Sequence, residues 1–161
     1  MNPRLNVTQK TYYALGVLAS ALNLVGGALY LAGIYAALLF NIASFLAGAM
    51  MLMTGATAGV KTRTGKFSLL AAALVVFSLM GGVPAKLGGA LAWPCFAVPY
   101  WKQADPVHTM VFLTFLAGGV QLVFSFVALP AALKACLAIV FAVIQLVLSY
   151  LLYCDERDKL A

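Results

Sequence analysis

The sequence predicts an all-α fold, a polytopic bundle of transmembrane helices, and three observations support this. The fifty residues from Thr11 to Val60 contain no Asp, Glu, Lys, Arg or His. Hydrophobic residues make up 65% of the 161-residue chain, and charged residues only 9%. The mean hydropathy is +1.03. Because a hydrocarbon core about 30 Å thick takes about 20 apolar residues per helix, the charge-free stretch indicates two membrane spans joined by a tight turn.

We predict six spans in a single integral membrane domain over residues 1–161, because six helices take up nearly the whole chain. The first two, 12–32 and 36–60, divide the charge-free stretch near Gly33. Ala19-Ser20-Ala21 has the small residues of a signal-peptide cleavage site. The apolar run continues through Val60, however, which favours an uncleaved first span.

The third and fourth predicted spans, 67–83 and 87–101, are joined by a short turn at Pro84. The fourth is the weaker, because 15 residues rise only about 22 Å. Pro94 and Pro99 within it also remove backbone hydrogen-bond donors. An alternative is therefore a re-entrant segment at 87–101, which leaves five spans. In that case Trp93-Pro94-Cys95 becomes a candidate gate or partner-docking element, since broken backbone at membrane depth lines cavities.

The fifth and sixth predicted spans, 106–129 and 135–153, are separated by a turn at Pro130 and by Lys134. Asp105 is a suitable N-cap for the fifth span, and Pro106 suits the first helical position.

The distribution of basic residues predicts the orientation. With six spans and a cytoplasmic N-terminus, eight of the ten Lys and Arg residues face the cytoplasm, and only Lys86 and Lys134 lie outside. The five-span alternative places six Lys and Arg residues in the cytoplasm and four outside, and it gives an external C-terminus. The positive-inside rule favours six spans. We expect the chain in the bacterial cytoplasmic (inner) membrane, with the N-terminus in the cytoplasm.

Residues for membrane-embedded catalysis are scarce. No predicted span contains an acidic residue, and the single His108 lies near Asp105 at a span end. One His and one Asp cannot form a zinc site or a triad. We therefore expect no enzyme, no catalytic residue, no metal site and no cofactor. The basic residues form no run, so nucleic acid is not an expected partner. The cysteines, Cys95, Cys136 and Cys154, are expected to be buried thiols.

Four predicted spans carry a stripe of small residues with one carboxamide at helical spacing. The stripes are Gly16, Ser20, Asn23 and Gly27; Asn41, Ser44, Gly48, Gly55 and Gly59; Thr114, Gly118, Gln121 and Ser125; and Ala138, Ala142, Gln145 and Ser149. Small residues let helix backbones approach closely, and amides hydrogen-bond across helices. The residues predicted to pack helices are Gly16, Ser20, Gly27, Ser44, Gly48, Gly55, Gly59 and Gly118.

These stripes support two hypotheses about function. The first is a non-enzymatic protein that acts through helix association, as an accessory or assembly subunit or a self-associating component. Its partners would be the lipid bilayer and other membrane subunits or a second copy of the chain. The alternative is a small-solute transporter or channel subunit. In that case Asn23, Gln121 and Gln145 would meet near the membrane midplane and bind a neutral polar solute.

Overall fold

The computed structural model describes the backbone of residues 3–160 and the side chains of residues 10–155. Within that range the chain is all-α, with no strand, as the sequence predicts. The six α-helices are α1 (Pro3–Leu31), α2 (Ala37–Ala58), α3 (Arg63–Ser78), α4 (Gly82–Ala97), α5 (Val107–Phe124) and α6 (Ala131–Leu160). A single 3₁₀ turn, Val98–Tyr100, follows α4.

The helices form a closed ring. Each helix packs against the helices before and after it in the chain, and α1 packs against α6 to close the circle. Gly27 faces Ile139, whereas Gly16 faces Ser149, so α1 and α6 run antiparallel. Neighbouring helices therefore alternate in direction. The start of α1 and the end of α6 lie at one end of the ring, here called the terminal end.

The opposite end, here called the hairpin end, carries the connections 32–36, 79–81 and 125–130. Lys86 and Lys134 lie near this end. The terminal end carries the connections 59–62 and 98–106 and most of the charged residues, among them Lys61, Arg63 and Lys102. Because the helices alternate in direction, more basic residues lie at the terminal end than at the hairpin end.

Four of the helices are long and apolar enough to cross a membrane: Lys10–Leu31, Ala37–Ala58, Val107–Phe124 and Ala131–Asp155. The helices α3 and α4 have 16 residues each, which corresponds to about 24 Å. Large apolar side chains are exposed on the outside of the ring, for example Leu38 at 70% and Phe45 at 71%. An apolar exterior of this kind is compatible with a multi-pass membrane protein.

Several helix boundaries differ from the predicted spans for local reasons. The third helix begins at Arg63 rather than at residue 67, because the Thr62 hydroxyl accepts a hydrogen bond from the Gly65 amide at 2.9 Å and caps the helix. The prediction that Asp105 caps the fifth helix is wrong. Pro106 occupies the capping position, and the Asp105 carboxylate accepts a hydrogen bond from the Thr109 hydroxyl at 2.8 Å.

The fourth helix is continuous through Pro94 and packs between α3 and α5. Gly88 allows the backbones of α3 and α4 to touch. A Cβ atom at this position would overlap the carbonyl oxygen of Leu74 and lie 2.6 Å from the amide nitrogen of Ser78. The absence of a side chain at this position thus brings the two short helices together.

The expectation of buried cysteines is wrong for Cys136, which is exposed, whereas Cys95 and Cys154 are partly buried. Cys136 lies in the second turn of α6, near the hairpin end. A thiol on an outward helix face needs no protein partner when the surroundings are apolar.

Candidate functional site: a cavity lined by carboxamides

Most of the predicted packing residues lie between helices of this chain. Positions where a Cβ atom would crowd a neighbouring helix are Gly16 against Met50 and Ser149, Gly27 against Ile139, Gly48 against Val75, Gly55 against Leu69, and Gly118 against Pro94. Ser20 is fully buried, and its hydroxyl donates to the Gly16 carbonyl at 2.8 Å. The small-residue stripes are thus used for packing inside the ring.

Gly59 differs from the other predicted packing glycines. It follows the last residue of α2 with a φ of 86°, and no atom of a neighbouring helix lies within 4 Å of a Cβ built there. A positive φ favours glycine. The spacing of Gly55 and Gly59 resembles a packing motif. Only Gly55 packs against a neighbouring helix, because α2 ends at Ala58, before Gly59.

Towards the hairpin end, the helices line a partly open cavity of about 280 Å³. Four carboxamide side chains line it, those of Asn23, Asn41, Gln121 and Gln145, and we call it the carboxamide cavity. A smaller space of about 120 Å³ lies between α1, α5 and α6 and is bordered by Asn23, Gln121 and Gln145. The three residues that the sequence singled out for a ligand therefore share one cavity.

The fourth carboxamide, Asn41, was part of the predicted stripe on α2 but was not among the predicted ligand residues. It lies in the second turn of α2, and Ser44, one turn further on, also lines the cavity. The helical spacing of the two residues was the signal that could have placed Asn41 beside the other amides.

The carboxamides lie at different heights along their helices, and their meeting at the membrane midplane stays a prediction. Gln145 lies in the middle of α6 and Asn23 about two turns before the end of α1. Gln121 lies in the last turn of α5, which ends at Phe124 rather than at residue 129. Beyond Phe124 the chain continues in turns, in which the amides of Phe126 and Val127 donate to the carbonyls of Val123 and Phe124. The cavity therefore occupies the half of the ring towards the hairpin end.

The carboxamides are not paired with one another. Within residues 10–155, the buried Oε1 of Gln145 has no hydrogen-bond partner. A buried amide without a partner is unfavourable by about 1–3 kcal/mol in proteins. The cavity is much larger than the roughly 10–15 Å³ that one water needs. The cavity can thus hold water or a small solute.

The lining is uncharged. Its polar side chains are the four carboxamides, the hydroxyls of Ser44 and Ser78 and the indole N–H of Trp93. The Ser78 hydroxyl donates to the carbonyl of Val75. Carboxamides both donate and accept hydrogen bonds. An arrangement of this kind suits a neutral molecule with hydroxyl, amide or urea groups, because no lining residue can compensate a full charge.

The terminal half of the ring is closed by apolar packing. Trp93, which is 7% exposed, borders the cavity, and the fully buried Phe96 and Met50 belong to the core beyond it. The hydroxyls of Tyr13 and Tyr100 lie 2.9 Å apart in the same core, with their rings edge to face. The exposed lining residue Asn41 lies near the hairpin end. The cavity is therefore sealed towards the terminal end.

Asp105 and His108, the two residues that could carry proton chemistry, lie outside the cavity. The His108 Nδ1 is 2.7 Å from the carbonyl oxygen of Trp101, and the rings of these two residues are in contact. No group of three or more His, Cys, Asp or Glu residues suited to a metal ion occurs among the residues described.

The fold and the cavity together define a class: an all-α helical ring with an apolar exterior, compatible with a multi-pass membrane protein, and with an uncharged polar cavity. Comparisons of the chain with protein-family models, with curated proteins and with solved structures found no match.

Proposed function

We propose that this protein is a non-enzymatic membrane protein that binds a small neutral polar solute in the carboxamide cavity, as a transporter or channel subunit. The observation that carries this proposal is the convergence of Asn23, Asn41, Gln121 and Gln145 on one cavity. Each of the four residues comes from a different helix. Helix packing alone does not require their amides to face a shared space.

The proposal includes six membrane crossings with both termini in the cytoplasm, in a bacterial inner membrane. It is supported by the position of α3 and α4, which lie in the ring beside the four longer helices. The basic residues support the orientation, because the terminal end carries far more of them than the hairpin end. In this orientation the cavity opens to the outside and is sealed from the cytoplasm.

Association with another subunit or a second copy, the first hypothesis from the sequence, stays a second proposal. Apart from Gly59, the glycine positions that suggested it pack within this chain, so a partner would have to bind the outward apolar side chains such as Phe45 and Leu116. The two proposals differ in what the protein does alone in a membrane.

A flux measurement on the purified protein tests the first proposal. Liposomes of phosphatidylcholine with and without the protein are given an osmotic gradient of glycerol or urea, and light scattering follows their swelling. We expect faster entry with the protein. Replacing Asn23 or Gln145 by Leu removes an amide whose hydrogen bond to the solute contributes about 1 kcal/mol. This loss should slow solute entry about fivefold.

Gln103→Leu is the matched control, because Gln103 lies in the 98–106 connection and not in the cavity wall. This variant should retain the wild-type rate. Entry of both solutes no faster than in protein-free liposomes would contradict the transport proposal and favour association.

A further inference from the structure

A second cavity at the hairpin end has a different chemical character. It has a volume of about 340 Å³ and lies between the start of α4, the end of α5 and the start of α6. Two lysines border it, Lys86 and Lys134, together with the side chains of Ser125 and Gln121. The rest of the lining is largely apolar and includes Phe124 and Phe141. We call this space the lysine pocket.

The positive charge of the lysine pocket is not neutralised by the chain. The four acidic residues of the sequence, Asp105, Asp155, Glu156 and Asp158, belong to the 98–106 connection and the last turns of α6, at the terminal end. Within the described side chains no carboxylate pairs with either lysine. The Lys86 ammonium instead lies 4.8 Å from the centre of the Phe126 ring, a cation–π contact.

Helix direction adds to this positive potential. Both α4 and α6 begin at the hairpin end, and neither has an acidic residue in its first turn. The N-terminal end of a helix carries a partial positive charge. Two lysines and two helix starts therefore favour an anion at the same end of the ring.

We propose that the lysine pocket binds the phosphate group of a single-chain phosphate lipid, with the alkyl chain against Phe124, Leu137 and Phe141. The two ammonium groups match a phosphate monoester, which carries about 1.5 to 2 negative charges at pH 7. The apolar remainder of the lining matches the chain. This site is separate from the carboxamide cavity, although Gln121 borders both, and it does not rest on the proposed solute function.

The test uses the purified chain in neutral maltoside micelles, with monohexyl phosphate as the probe and isothermal titration calorimetry as the measurement. Empty micelles are titrated as a background. An anionic headgroup gains about 1 kcal/mol from each lysine near it. We therefore expect about fivefold weaker binding for Lys86→Gln or Lys134→Gln, and about thirtyfold weaker binding for the double variant.

Two further variants separate local recognition from net charge and misfolding. Lys61→Gln/Lys102→Gln changes the net charge equally, but both residues are exposed at the terminal end, so it should bind as wild type does. Lys86→Arg/Lys134→Arg keeps the positive charge and should bind within about twofold of wild type. Asn23→Leu should leave binding unchanged, because Asn23 does not border the lysine pocket.

Inorganic phosphate and hexanol distinguish the sources of the binding energy. Inorganic phosphate should bind at least about tenfold more weakly than monohexyl phosphate, because it lacks the alkyl chain and burial of each CH₂ group is worth about 0.8 kcal/mol. Hexanol should bind about thirtyfold more weakly, because it lacks the charge that the two lysines attract by about 1 kcal/mol each. Equal binding of inorganic phosphate would overturn the lipid site in favour of a free-anion site. Unchanged binding of monohexyl phosphate in Lys86→Gln/Lys134→Gln, or equal loss in Lys61→Gln/Lys102→Gln, would overturn the proposal altogether.

Discussion

Gly118 of α5 lies directly against the ring of Pro94 of α4. A Cβ atom at residue 118 would overlap the proline ring and lie 2.8 Å from the carbonyl oxygen of Ala90. Ala90 is four residues before Pro94, so its carbonyl lacks the helical donor that proline cannot supply. A space of about 10 Å³ borders all three residues, close to the size that one water needs. The glycine thus accommodates the proline within a continuous helix.

Gly118→Ala should lower the free energy of unfolding by about 1–3 kcal/mol, because the added methyl group must displace the proline ring or the α4 backbone. Unfolding by SDS in mixed maltoside micelles measures this change. Gly119→Ala is the control in the adjacent residue, where no atom lies within 4 Å of the built Cβ. That variant should be neutral or more stable by up to about 1 kcal/mol. Equal losses in both variants would contradict the close approach.

Thr54→Val should be neutral or raise the free energy of unfolding by about 1 kcal/mol, because the buried Thr54 hydroxyl has no hydrogen-bond partner within the described residues. Thr114→Val is the matched variant. The Thr114 hydroxyl, also buried, donates to the Met110 carbonyl at 2.8 Å, so its loss should cost about 0.5–1.5 kcal/mol. The same SDS titration compares the two variants. A Thr54→Val cost as large as that of Thr114→Val would show that Thr54 is hydrogen-bonded.

Water in the carboxamide cavity should make position 145 reactive in a membrane. In a chain whose three cysteines are replaced by Ala, Gln145→Cys should react with a water-soluble maleimide, because the reacting thiolate needs a polar environment. Val140→Cys is the control on the same helix, since Val140 is 53% exposed on the apolar exterior. It should stay unlabelled in liposomes. Equal labelling at both positions would argue against a hydrated cavity.

Six crossings should place the C-terminus in the cytoplasm. A reporter that is active on one side only, fused after Ala161, should report the cytoplasm. The same reporter fused after Leu129 in a truncated chain should report the outside, because the 125–130 connection lies at the opposite end of the ring. A C-terminal reporter active outside would contradict six crossings and favour the five-span alternative.

Much of the fold could be predicted from composition and helical spacing, but boundaries and partners of single residues could not. The charge-free stretch from Thr11 to Val60 correctly indicated two long apolar helices. The spacing of Asn23 and Gly27 placed both on one face of α1. Neither pattern contains the distance between helices. Local backbone geometry decided whether Gly59 packs or turns, and from which group the Asp105 carboxylate accepts a hydrogen bond.

The sequence by itself determined the all-α class and the apolar exterior. The reason is that long apolar segments without charges form helices with an apolar outer surface, whichever helices pack together. The sequence also placed one carboxamide on each of four helices. Only the tertiary structure decided that Asn23, Asn41, Gln121 and Gln145 share a cavity, and that Lys86 and Lys134 share another. The reason is that helical periodicity fixes which face a residue occupies, whereas the closing of the ring by α1 and α6 fixes which faces meet.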